Sequence, residues 1–221
     1  MKTVLITGGT VRLGKAIAER LRAEGWRVIT SSHRADAGAD IVADLAEPMG
    51  AAKLYAATLQ MLGGNPPDAL VNNAALFTGD AAAIRAVNLE APKKLTMLMA
   101  GRETGVGAVV NVLDVAASDS RSSSISRSSS QAAPGYLDSK RELRAFTLSS
   151  AATFAATLRV NGVAPGPVMA PTDVHEKAGA MLLDRRPTAD DVAAAVSYLL
   201  SAEAVTGTVI PVDAGQHLLE A

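Results

Sequence analysis

Tyr136 and Lys140 stand four residues apart in YLDSK, a spacing that puts a phenol and an ammonium on one face of the helix that carries them. A free tyrosine, with a pKa of about 10, donates its proton slowly at neutral pH and is not easily replenished. An ammonium beside it favours the phenolate and lowers that pKa, so the pair reads as a general acid. A second stretch, TGGTVRLGKAIAERL at 7–21, offers a place for an anion. Gly8 and Gly9 allow a tight turn with close backbone approach, and Gly14 sits where the next helix packs on the sheet. The N-terminus of that helix presents free N–H groups and the positive end of its dipole to a pyrophosphate. Arg12 occupies a position where a loop of this shape usually has glycine, and it adds a fixed positive fork of donors beside the phosphates.

These groups need a frame, and the chain supplies one. Apolar runs of strand type alternate with longer stretches of helical period, the pattern of a parallel sheet covered on both faces. The runs are TVLIT at 3–7, WRVIT at 26–30, ADIVADL at 39–45, DALVNNA at 68–74, GAVVNVLD at 107–114, LRVNGVAP at 158–165 and GTVIPVD at 207–213. Helices are expected at about 12–24, 49–62, 79–101, 136–157 and 188–201. Only SSHRADAG lies between the second and third runs, so the crossover helix there is reduced to a turn. The fold class is α/β: a single domain over residues 1–221, a doubly wound parallel sheet of about seven strands with helices on both faces. One segment breaks the pattern: SDSRSSSISRSSS at 118–130 has nine serines in thirteen residues and no apolar period, and reads as a Ser-rich loop insertion at about 117–131.

Composition narrows the setting. The chain has 221 residues, is 48% hydrophobic and carries a net charge of -1, so it holds one large core and no basic field suited to nucleic acid. The absence of cysteine excludes disulfides and thiolate metal sites. The N-terminus runs directly into a strand without a signal-peptide apolar region, and no window is long and apolar enough for a membrane span. These features predict a cytoplasmic protein without nucleic-acid or membrane partners.

Over nearly its full length the chain resembles the short-chain dehydrogenase/reductases. The resemblance rests on TGxxxxxG at 7–14, Asp44-Leu45 after the third strand, NNA at 72–74, VN at 87–88, YLDSK at 136–140, RVNGVAPGPV at 159–168 and VTGTVIPVDAGQHL at 205–218. It implies a Rossmann-type fold and a nicotinamide cofactor lying against Gly8, Thr10, Arg12, Leu13, Gly14, Asp44, Leu45, Asn72, Ala74, Pro165, Gly166 and Val168. Tyr136 is then the proton donor for hydride transfer to C=N or C=O, Lys140 binds the nicotinamide ribose, and Asn88 holds a water in a proton relay behind Lys140. The resemblance also implies a homotetramer built on the helices at 79–101 and 136–157.

Within the family, the arginine in TGxxxRLG is similar to the pteridine reductases and dihydromonapterin reductases, which use NADPH. Three departures from the common family pattern agree. After the second strand, where an NAD enzyme places an acid for the ribose 2′-hydroxyl, TSSHR offers His33 and Arg34, suited to a 2′-phosphate and hence to NADPH. Asp114 occupies the place of the catalytic serine, as in pteridine reductases. Phe77, in ALF after NNA, falls where those enzymes stack an aromatic ring on the pterin. Substrate contacts are thus expected from Arg12, Phe77, Asp114 and Tyr136, with a carboxyl at Asp114 able to share a proton with Tyr136 and protonate a ring nitrogen. The 22 residues from Asp114 to Tyr136 exceed the family spacing because of the serine tract. Counting back from Tyr136 would nominate Ser123 instead, but a flexible tract cannot preorganise a proton donor. The leading expectation is a pterin or dihydropteridine reductase, active also on dihydrofolate. The alternatives are a reductase of ordinary carbonyls (a 3-oxoacyl thioester, quinone or ketone) and a catalytically silent NADPH-binding module. The segment 169–187 is expected to cover the substrate.

Overall fold

The computed structural model describes residues 1–103, 105–117, 133–168 and 180–219. The serine tract and residues 169–179 of the expected substrate cover lie outside the described residues. Seven strands, all parallel, form one sheet in the order β3-β2-β1-β4-β5-β6-β7. They are β1 (Thr3–Thr7), β2 (Arg27–Ser32), β3 (Ile41–Val42), β4 (Ala69–Asn72), β5 (Gly107–Val112), β6 (Leu158–Pro165) and β7 (Val209–Val212). The helices are α1 (Arg12–Ala23), α2 (Gly50–Met61), α3 (Ala81–Arg85), α4 (Ala91–Ala100), α5 (Tyr136–Thr153) and α6 (Ala189–Ser201).

Strand residues alternate between the two faces. Val4 and Ile6 join Ile17, Ala18 and Leu21 of α1 and Val192, Val196 and Leu199 of α6 on one side. Leu5 joins Leu54 of α2, Leu95 and Met99 of α4 and Ala151 of α5 on the other. Both faces are therefore dry, which is why the inner strands read as continuous apolar runs. The helix expected over 79–101 is interrupted: a π-type turn, Ala86–Glu90, joins α3 to α4 and buries Val87, Asn88 and Leu89. Such a bulge re-aims a side chain without ending the helix, and here it carries Asn88 inward, fully buried. The β2–β3 connection is a single 3-10 turn, Ala35–Ala37, in place of a crossover helix. The third strand is shorter than its apolar run, because Asp40 accepts from Thr30 N and Oγ1, both at 2.7 Å, and Asp44 accepts from Ala46 N at 2.8 Å.

From β1 the sheet winds outward in both directions, so the carboxyl ends of β1 and β4 border the crevice where ligands of such sheets bind. Among the described residues no helix is long and apolar enough to cross a membrane.

Candidate functional site

The loop after β1 is held open by its glycines and by Asn73. Gly8 has φ +63°, a left-handed conformation that glycine adopts without strain. A Cβ on Gly14 would run into the Gly8 carbonyl oxygen and lie 2.6 Å from Asn73 Nδ2. Asn73 Nδ2 donates to the carbonyls of Thr7 and Gly8, both at 3.0 Å, and Thr7 Oγ1 accepts from the N–H groups of Asn73 and Ala74. The loop is thereby stitched to the end of β4. Arg12 takes φ +48°, which explains why glycine is the usual residue at this position. A non-glycine side chain there carries roughly 1–2 kcal/mol of strain.

The N-terminus of α1 fits an anion. Val11 at its N-cap makes no side-chain cap, and the first turn has no acid. By contrast, α6 begins with a reciprocal capping box between Thr188 and Asp191, and Asp80 caps α3 through Ala82 N and Ala83 N. The helix that opens on the cleft is the uncapped one of these three, with N–H groups available to a pyrophosphate.

The cleft has a volume of about 820 Å³ and runs from His33, Arg34 and Asp44 at one end, past Arg12, to Asp114, Tyr136 and Lys140 at the other. Its far wall is formed by Pro165, Gly166 and Val168. At the inner end Tyr136 O–H donates to Asp114 Oδ2 at 2.8 Å, and Asp114 Oδ1 accepts from Ala116 N at 2.8 Å. Lys140 Nζ donates to the Val112 carbonyl at 2.8 Å and lies 6.0 Å from the centre of the Tyr136 ring. Burial pushes the Lys140 ammonium down to about 8, opposed in part by the charge of Asp114. Asn88 sits behind this group, exchanging hydrogen bonds with the backbone of Leu76 (2.7 and 2.9 Å) and donating to Ser139 Oγ at 3.3 Å.

Thr10, Leu13, Gly14, Leu45 and Ala74 also line the cleft with the residues above. Asn72 does not. It is buried and donates to Asn111 Oδ1 at 2.8 Å, while Asn111 Nδ2 donates to Thr147 Oγ1 at 2.9 Å, a chain that ties β4 and β5 to α5. Its neighbour Asn73 takes the cleft position. Phe77 is half-buried and absent from the cleft wall; its ring meets that of Tyr136 edge-on, 4.9 Å between centres at 66°. Sequence reasoning missed Asn73, although it is the middle residue of the NNA motif from which Asn72 and Ala74 were drawn, and Asp36. The latter lines the cleft and accepts from Arg34, even though TSSHR itself shows no acid after β2.

Comparison with known proteins agrees with this geometry. A family model described as enoyl-(acyl carrier protein) reductase matches residues 11–217. The protein named ketoacyl reductase 2 of the granaticin polyketide synthase, from Streptomyces violaceoruber, is 31% identical over 97% of this chain and 96% of its own. Pteridine reductase 1 of Leishmania tarentolae is 29% identical over 98% of this chain and 96% of its own. Among solved structures, FolM alternative dihydrofolate reductase 1 from Brucella canis, complexed with NADP, superposes with a TM-score of 0.80 at 30% identity, covering 98% of this chain and 94% of that one. The 3-alpha-hydroxysteroid dehydrogenase from Pseudomonas sp. B-0831, complexed with NADH, gives 0.82 at 26% identity, covering 99 and 98%.

Proposed function

The chain belongs to the short-chain dehydrogenase/reductase family, its match running over residues 11–217, and from that premise we propose that it is an NADPH-dependent reductase acting on a C=N bond of a pterin or dihydropteridine. The coarser statement, a nicotinamide-dependent oxidoreductase of small molecules, follows from membership. The observation that carries the finer reading is the 2.8 Å hydrogen bond from Tyr136 to Asp114. A carboxyl group at that place can exchange a proton with the phenol and offer one to a basic ring nitrogen, which a neutral serine hydroxyl does poorly. The FolM complex with NADP and the pteridine reductase support the same reading.

When bound, the cofactor supplies the hydride. The chain does the rest. The α1 N–H groups and Arg12 would hold the cofactor's pyrophosphate, and His33 and Arg34 would receive a 2′-phosphate. Tyr136 holds its proton on Oη toward Asp114, and Asp114 relays it into the cleft. Lys140 keeps a positive charge behind the phenol and would contact the ribose, while Leu76, Val112 and Leu113 line the inner cleft with apolar surface. Asn88 fixes the backbone at Leu76 and the first turn of α5 through Ser139. The protein assembles as a homotetramer on the faces of α3–α4 and α5, a state that sedimentation reads directly.

Following NADPH absorbance with dihydrobiopterin, dihydromonapterin, dihydrofolate and a ketone tests the proposal. The pterins are turned over and the ketone is not, and Asp114→Ser reverses the order. A wild-type preference for the ketone overturns the reading. That second reading, a reductase of ordinary carbonyls, draws on the 31% identity to the granaticin ketoacyl reductase and on Phe77, which packs on Tyr136 and does not itself line the cleft.

A further inference from the structure

The acid that sequence reasoning did not find at the outer end of the cleft sits on the short β2–β3 turn. Because Ala35–Ala37 turns sharply, Asp36 folds back onto Arg34. Arg34 Nε donates to Asp36 Oδ1 at 3.0 Å and Nη2 to Oδ2 at 2.7 Å, so both prongs of the guanidinium meet both carboxylate oxygens. This is the arrangement in which a guanidinium also takes a phosphate. The two side chains line the cleft and are largely exposed, 62 and 69%. The neighbouring acids are committed elsewhere: Asp40 accepts from Thr30, and Asp44 from the Ala46 N–H.

Resting on the reading of this cleft as a nicotinamide dinucleotide site, we propose that Asp36 is a specificity-determining residue, an internal carboxylate that occupies the Arg34 fork a ribose 2′-phosphate needs. A nucleotide with a free 2′-hydroxyl leaves the pair closed. One with a 2′-phosphate must displace Asp36, and afterwards two anions share one guanidinium. An ion pair this exposed is weak enough for a dianion to open, but the repulsion persists while the phosphate is bound. His33 and Arg34 therefore favour NADPH, and Asp36 holds that preference below what the two cations impose.

The test is calorimetric binding of NADPH, NADH and adenosine 2′,5′-bisphosphate to the wild-type protein, Asp36→Asn and Asp36→Glu. Asp36→Asn tightens NADPH and the bisphosphate by about 5- to 20-fold at low salt and changes NADH by less than about twofold, a range set by screened charge repulsion. The gain shrinks as salt is raised, and Asp36→Glu stays near wild type because the charge is kept. Asp36 lies on an exposed turn, so the unliganded melting temperature of Asp36→Asn stays at the wild-type value. An unchanged NADPH affinity in Asp36→Asn, or equal tightening of NADPH and NADH, overturns the proposal while leaving the dinucleotide site intact. Wild-type protein that binds neither NADPH nor NADH overturns the site and this proposal together.

Discussion

The two ends of the cleft are built on opposite principles. At the inner end Tyr136, Lys140 and Asn88 are 7, 3 and 0% exposed, and each is fixed by hydrogen bonds to Asp114, Val112 and Leu76. At the outer end Arg34 and Asp36 are in water and meet only through charge and a turn. Burial makes an unpartnered polar group costly, so the inner end admits one geometry. Exposure makes charges cheap and screened, so the outer end tolerates exchange of partners. On the proposed function, the inner end would set the rate and the outer end the choice of cofactor.

The sharpest way to break that division is Tyr136→Phe, which keeps the ring against Phe77 and removes the proton. Turnover falls by at least ~10²-fold, the scale of general acid catalysis, while NADPH affinity measured by fluorescence titration stays nearly intact. A comparable loss of binding would mean that the ends are not separable. At the outer end Arg34→Ala weakens NADPH binding at low salt, with the loss shrinking as salt is raised, NADH almost unchanged and kcat preserved.

The pH profile comes next in size. Lys140 is pushed down to about 8 in the fold, from an ordinary value of 10.5. Below about 8 the buried ammonium is present, and above it the charge is lost, so kcat declines by up to about tenfold per pH unit beyond that point. Stability moves the other way. Between about 8 and 10.5 the unfolded chain binds more protons than the folded one, so Lys140 contributes a gain in stability as pH rises through that window. Denaturant titrations at several pH values, with Lys140→Met as reference, separate the two trends.

The smallest effect sharpens the substrate question. Phe77→Ala removes an edge-on ring contact with Tyr136 worth about 0.5–1.5 kcal/mol, so kcat drops by roughly 2- to 10-fold with little change in the KM for a dihydropterin. A rise in that KM with kcat unchanged would instead show that the ring stacks on the substrate.

The sheet was legible because β1, β4, β5 and β6 are buried on both faces and read as apolar runs, and α1 was legible from Gly14, Ile17, Ala18 and Leu21 on one stripe. The break at Ala86–Glu90 was not read, although Pro92, in the first turn of α4, lacks the N–H that an unbroken helix would use there; the π turn also packs Asn88 beneath Leu76. At the site, residue types announced Tyr136, Lys140 and Asp114, whose side chains the fold brings together in the cleft. Asp36 escaped notice because its reach to Arg34 depends on how tightly a three-residue turn closes. Arg12 was legible as a charge, but its positive φ was not, because that angle is imposed by the loop around it.

The position of β1 between β2 and β4 also governs how the chain comes together. Thr3 donates its N–H to Asp68, 65 residues away, and no pairing of β1 with β4 is available during synthesis until that distance has been spanned. Until then one edge of β1, with Val4, Leu5 and Ile6 that end fully buried, offers unpaired backbone to other chains. Non-local pairing of this kind is slow, and bare edges invite aggregation. Closure of β4 on β1 is the vulnerable moment in the life of the nascent chain, and cooler, slower synthesis favours the folded product there.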